Sequence, residues 1–499
     1  MIGNRLRFSN VSRAAAFLAL SSLAAFGQAR DWSSVGGDAQ RTSWIRSDPK
    51  IAPDTVTAAS FQFLWKVKLG NEPLTAPVLI DRYIGYRGFR TYAFIGGSAE
   101  DAFALDSDVG RLEWRKHLTG NAGSDSGNCP GGMTASLTRP VTATFPSSAA
   151  AAGRGGGRGI PAKSGVGEAN EGSVQLAQVA NRPPARPTPP PAAMATGRGA
   201  APNPYAPHVT PIYALSGDGA LHTMYVSNGV EGASDPISFL PASANVGDFA
   251  VVDDVAYATT TGHCGGVADG VWALDLATKA VTKWEGSLNG EPAFGPAGAY
   301  VTADSKLIVL DPKTMTAGSS YDAGQPFTTA PVVFEYKTKE MVAAATKDGV
   351  LHIVDASAPT SAFAKSAGGD AEPYALATWQ TTAETRWIIA AGAKSVTGWK
   401  VVDRNGSATL QQGWALHDLN APATPLIVNG VLFVLQRGDP SQHAVLSAFD
   451  ASSGKQIWTS GDAITSFVAK TGGMAEGGST VYFGTDDGTL WAFGFPIEH

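Results

Sequence analysis

Residues 423–459 read ATPLIVNGVLFVLQRGDPSQHAVLSAFDASSGKQIWT. Four short β-type runs lie in this stretch: ATPLIV (423–428), VLFVLQ (431–436), VLSAFD (445–450) and KQIWT (455–459). Asn429-Gly430 separates the first two and Ser453-Gly454 the last two, placing Gly where tight hairpins demand a positive φ. The stretch therefore predicts one antiparallel unit of four strands, A to D. Similar units are anchored at Tyr92, Tyr213, Tyr257, Tyr300, Val342, Ile388, Phe433 and Tyr482. The last six gaps, by subtraction, are 44, 43, 42, 46, 45 and 49 residues. A repeat of this length with several strands per unit is the mark of a β-propeller. Asp-Gly pairs join B to C at Asp218-Gly219, Asp348-Gly349 and Asp487-Gly488.

The last unit stops after TLWAFGF (489–495), a C strand with no D strand behind it. The missing strand stands at the front: FQFLWKVKL (61–69) reads as a D strand with no unit before it. Pairing the two removes both exposed sheet edges. The expected fold is all-β, an eight-bladed β-propeller of four-stranded blades, closed by pairing the N-terminal strand with the last blade. Deleting residues 61–69 is expected to destabilise the whole domain.

Composition agrees. Apolar residues make up 43% and charged residues 16% of the 499 residues, with 58 Gly. That balance suits strands and turns better than amphipathic helices. A net charge of −6 gives no general attraction for nucleic acid. Residues 1–29 read as a signal peptide: Arg5, Arg7 and Arg13 precede the apolar run Ala14–Phe26, and small residues follow at Gly27-Gln28-Ala29. That run is too short for a membrane span, and no Cys lies near it for lipid attachment. The expected chain is exported, soluble and monomeric. It has an entry segment at 30–60, a propeller at 61–146 and 205–495, and an insertion at 147–204. The insertion has no aromatic residue and runs GRGGGRG and NRPPARPTPPP, so it is expected to be disordered. Its six Arg or Lys against two Glu suit a basic tether or a merely solvated loop.

Three stretches resemble the tryptophan-docking repeat of the pyrroloquinoline-quinone (PQQ) dehydrogenases, Ala-x-Asp-x-x-Thr-Gly followed by Trp. They are Ala104-Leu105-Asp106 with Gly110 and Trp114, Ala448-Phe449-Asp450 with Gly454 and Trp458, and Ala273-Leu274-Asp275 with Thr278 and Trp284. The third carries Lys279 in place of Gly. The entry segment DWSSVGGDAQRTSW (31–44) and FLWKVKL also look like the start of those enzymes. The resemblance implies eight blades with Trp side chains packed between them, so Trp65, Trp114, Trp284 and Trp458 are expected to dock neighbouring blades. Catalytic members of that family use two adjacent Cys, a Ca²⁺ site of carboxylates and amide, and an Asp base. This chain has only Cys129 and Cys264, 135 residues apart, and no segment that matches the base. Non-catalytic relatives include the lipoprotein of the outer-membrane protein assembly machine.

Strand direction sorts the loops. The D-to-A connections and B–C turns share one end of the ring, and the A–B and C–D turns share the other. Cys129, entering blade 2, and Cys264, in the B–C turn of blade 3, fall on one end. A disulfide is expected there, contributing on the order of 2–4 kcal/mol; the alternative is a metal site with His263. Glu72, Glu291 and Glu372 each precede a Pro just before a strand A. They would ring the channel mouth as ligands for a hard cation, or simply stay in water while Pro sets an extended entry. His222 and His352 occupy the position held by Trp491 in the last unit and read as structural.

The leading reading is a non-catalytic binding or scaffold module with a protein or small-molecule ligand at the channel face. The competing reading is a quinoprotein dehydrogenase with an atypical site, and a channel for carbohydrate or peptide is a third. No cofactor is assigned; PQQ and calcium are the two that the resemblance admits.

Overall fold

A computed structural model describes residues 31–85, 88–118, 129, 131–145, 211–232, 236–242, 244–368, 372–404 and 407–496. All belong to the unit formed by Met1–Ala151 and Thr210–His499. The proposed signal peptide and the insertion at 147–204 lie outside the described residues.

Eight β-sheets are present among the described residues. Blade 1 spans 78–117, blade 3 spans 246–285, blade 4 spans 293–322 and blade 5 spans 332–365. Blades 6 and 7 span 373–416 and 426–459. Blade 2 combines 211–238 with a bridge between Thr138 and Tyr213, so its innermost strand is reduced to a single contact. Blade 8 joins 474–494 to Gln62–Lys68. All eight anchors read from the sequence lie on the second strand of their blades.

Position in the ring explains the pattern of each strand. B and C strands are flanked by neighbouring blades and are mostly buried; Val431–Leu435 is an apolar run that is wholly buried. D strands sit at the outer edge and alternate, as Val281–Glu285 does between exposed and half-buried. Ring closure follows the expected route. Gln62–Lys68 pairs antiparallel with Thr489–Gly494, with Trp65 opposite Ala492 and Val67 opposite Leu490. Phe61, fully buried, anchors the start of that strand against Phe433, Trp458 and Phe495.

Three tryptophans share one contact across a blade interface. Trp65 lies over Gly110, Trp114 over Gly229 and Trp414 over Gly454, each glycine being in the C–D turn of the next blade. Their indole N–H groups donate to the carbonyls of Ser107, Val226 and Ala451, at 3.2, 2.9 and 3.0 Å. Each acceptor lies three residues before its glycine, so one geometry recurs at three blade interfaces. A Cβ on Gly110 would sit 2.6 Å from the Trp65 ring, and the backbone there has φ +65°. Only glycine meets both demands. Trp458 is buried edge-on to Phe61, and Trp284 is half-buried in the blade 3–4 cluster.

The entry segment is more than a lead-in. Trp32 and Ser33 carbonyls accept from Leu79 of blade 1 and Arg139 beside blade 2. Ala39 and Gln40 carbonyls accept from Phe294 of blade 4 and Val333 of blade 5. Thr42 and Ser43 carbonyls accept from Thr378 of blade 6 and Ile427 of blade 7. Arg41 reaches Asp248 of blade 3, and the Asp48 carboxylate accepts from Ser479 of blade 8. Residues 32–48 thus pass once around the inner rim, touching all eight blades. This strap satisfies innermost-strand N–H groups that a neighbouring strand would otherwise have to meet.

Candidate functional site

The strap makes a floor across the channel, near the A–B turn end of the innermost strands. Above it a cavity of about 230 Å³ opens toward the other end. Trp32, Gly36 and Arg41 of the strap line its base, and residues from seven of the eight blades form its wall. Gly36 and Gly37, at φ +79° and +87°, turn the strap here, and Gly37 packs against the Trp32 ring.

Arg41 dominates the floor. Its guanidinium donates to Asp248 and to Glu291, each at 2.9 Å. The Asp248 side chain is 8% exposed and that of Arg41 12%, so the cluster is largely desolvated. Burial raises the Asp248 carboxyl to about 7, outweighing the pull of Arg41, and the nearby Glu291 charge adds to the rise. The two carboxylates in turn hold the Arg41 guanidinium charged against its own burial. The Arg41 backbone has φ +60°, a left-handed conformation uncommon for a side chain of this size. The Asp38 carboxylate accepts from the Thr42 N–H at 2.9 Å and holds this turn.

On the opposite wall stands Arg437, just past the B strand of blade 7. It donates to the carbonyls of Ala469 and Lys470, each at 2.8 Å. Burial lowers its pKa, which the neighbouring Tyr374 only partly offsets. Lys470 is exposed beside it at the mouth.

The three glutamates singled out by sequence are not assembled into a cage. Glu72 and Glu372 are exposed, and Glu291 is committed to Arg41. Among the described residues no three His, Cys, Asp or Glu side chains are grouped to hold a metal. Cys129 and Cys264 form a disulfide with Cα atoms 5.6 Å apart, tying the entry to blade 2 to the B–C turn of blade 3. His263 stands outside it, 73% exposed, with Nδ1 3.3 Å from Asp269. A calcium-bound quinone needs free oxygen ligands at the channel and, by the family resemblance, a vicinal disulfide beside the ring. The funnel carboxylates are held by a guanidinium and the one disulfide joins separate loops. The described residues therefore do not fit that group.

Sequence reasoning found Glu291 without its partner and missed Arg41, Asp248 and Arg437. No local signal marks them: Arg41 is 207 residues from Asp248 and 250 from Glu291.

No family model matches the chain, and no curated protein matches it in sequence. Solved structures share the fold. The quinohemoprotein alcohol dehydrogenase ADHIIG from Pseudomonas putida HK5 superimposes with a TM-score of 0.59 at 11% identity, covering 95% of this chain and 81% of that one. The quinohemoprotein alcohol dehydrogenase from Comamonas testosteroni gives 0.55 at 12% identity, covering 95% and 82%. BamB from Moraxella catarrhalis gives 0.51 at 11% identity, covering 88% and 99%. At these identities the likeness establishes the propeller fold, which dehydrogenases and other propellers share. Among the described residues no helix is long and apolar enough to cross a membrane.

Proposed function

We propose that this chain is an exported propeller that acts as a non-catalytic binding module and takes its ligand in the axial funnel. One observation carries the reading. The two carboxylates that line the funnel, Asp248 and Glu291, are both ion-paired to Arg41. Carboxylate oxygens already held by a guanidinium hydrogen bond are poor calcium ligands. A floored funnel rimmed by hydroxyl, aromatic and cationic groups still suits a small ligand.

The test is direct. Purified protein, supplied with PQQ and Ca²⁺, is assayed for dye reduction with primary alcohols and aldose sugars, and its melting temperature is followed with and without the additions. The reading expects no reduction and no Ca²⁺-dependent shift. Turnover of either substrate class would establish the quinoprotein dehydrogenase alternative instead.

A further inference from the structure

The funnel has an uneven charge. Three cations, Arg41, Arg437 and Lys470, line it against two carboxylates, Asp248 and Glu291. Both carboxylates are spent on Arg41, on one wall. Across the cavity Arg437 has no carboxylate partner among the described residues, and its guanidinium is satisfied in part by two backbone carbonyls from a single Nη1 atom. A guanidinium fixed in this way keeps donors over for a planar oxyanion, and it is pre-oriented for one. Burial lowers its pKa, so an anion that neutralised it would relieve that cost. The remaining wall is hydroxylic and aromatic: Ser43, Ser136, Thr424, Trp32 and Tyr374. Such a wall suits a hydroxylated carbon skeleton with a flat face.

We propose that the funnel binds a small hydroxylated organic acid, with Arg437 as the anchor for its carboxylate, Lys470 as the charge at the mouth and the Arg41 floor as a fixed base. This rests on the reading of the funnel as a binding site, and it adds the ligand class. The volume fits: a six-carbon sugar acid is smaller than the cavity of about 230 Å³.

The probes are gluconate, tartrate, glucose and inorganic phosphate, measured by calorimetry and by thermal shift on the intact protein. Gluconate or tartrate should bind, and glucose, which lacks the charge, should bind about tenfold more weakly or not at all, as befits a lost charged hydrogen bond. Arg437→Met should weaken the acid by roughly tenfold or more. Lys470→Met, at an exposed position, should weaken it by only about two- to fivefold. Arg437→Lys should recover part of the loss and guards against a folding defect, which the melting curve of each variant reports. Several results would overturn the proposal: no binding by either acid, equal binding of glucose, binding of phosphate as tight as that of the acids, or acid binding unchanged in folded Arg437→Met. Glucose binding alone would leave the binding-module reading standing while removing the acid. Acid binding accompanied by PQQ-dependent dye reduction would do the reverse.

Discussion

At the scale of single residues, one small device repeats at the B–C turns and settles what the buried histidines are for. Ser216, Thr346 and Thr485 each donate a hydroxyl hydrogen to an Asp two residues on, at 2.5, 2.6 and 2.6 Å. Each hydroxyl also meets a ring nitrogen six residues on: His222 Nε2 at 3.0 Å, His352 Nε2 at 3.2 Å and Trp491 Nε1 at 3.1 Å. Trp can only donate, so the hydroxyl oxygen accepts in the last unit, and His352 fills the same role from Nε2–H. His352 Nδ1 then lies 2.9 Å from the Tyr321 hydroxyl, which donates to it. The ring is thus wanted neutral. Burial, helped by the charge of Lys365, lowers its pKa from 6.5 to about 4. The sign is clear: the unfolded chain takes up a proton below about pH 6.5 and the native state does not until about pH 4, so stability falls with pH across that window. His352→Gln keeps a donor and removes the titration. Wild type should be the more stable protein near neutrality, and the gap in melting temperature should close as the pH approaches 4. Parallel melting curves across the window would contradict the assignment.

At the scale of elements, three blade interfaces share the indole-over-glycine contact. Trp414 was not legible because its spacing differs: blade 6 carries ten-residue C and D strands, Ser395–Arg404 and Ser407–Leu416, so Trp414 lies well beyond the four-residue offset from Gly that the repeat predicts. The four-stranded period and the eight anchors were legible because each is a local pattern of apolar runs and turn residues. The disulfide was legible because a chain that reads as exported carries just two cysteines and strand direction puts both at one end of the ring. The Arg41 clamp and Arg437 were not, since they depend on how far-separated loops converge. The docking geometry ranks the tryptophans. Trp414 is 8% exposed, donates to Ala451 and seals Gly454, whereas Trp284 is half-buried and faces a turn without that glycine. Trp414→Ala should cost about 3–5 kcal/mol, Trp414→Phe about 1 kcal/mol for the lost hydrogen bond, and Trp284→Ala less than Trp414→Ala. Urea unfolding of the three variants measures the order, and an equal loss at both sites would refute it.

At the scale of the molecule, a propeller poses a problem of cooperativity. Each blade packs mainly on its two neighbours, so such an array tends toward nearest-neighbour behaviour, in which sections can open separately. Two features of this chain oppose that. The Gln62–Lys68 strand locks blade 8 into the start of the chain and leaves no free edge at which opening could begin. The strap is the second, and it differs in kind, because residues 32–48 contact every blade. Detaching any one blade must break a hydrogen bond or ion pair to an element that the other seven also hold. Removal of residues 31–48 should therefore do more than lower the melting temperature. It should broaden the transition, so that the van't Hoff enthalpy drops below the calorimetric enthalpy, the two being equal for an all-or-none protein. Arg41→Met tests the same link at one point. It strands Asp248 and Glu291 without their cation and should cost about 3–5 kcal/mol, yet leave the backbone contacts of the strap, and hence the sharpness of melting, in place. If the shortened chain melts as sharply as the full one, the blades are coupled by their own interfaces, and the strap is a floor for the funnel and nothing more.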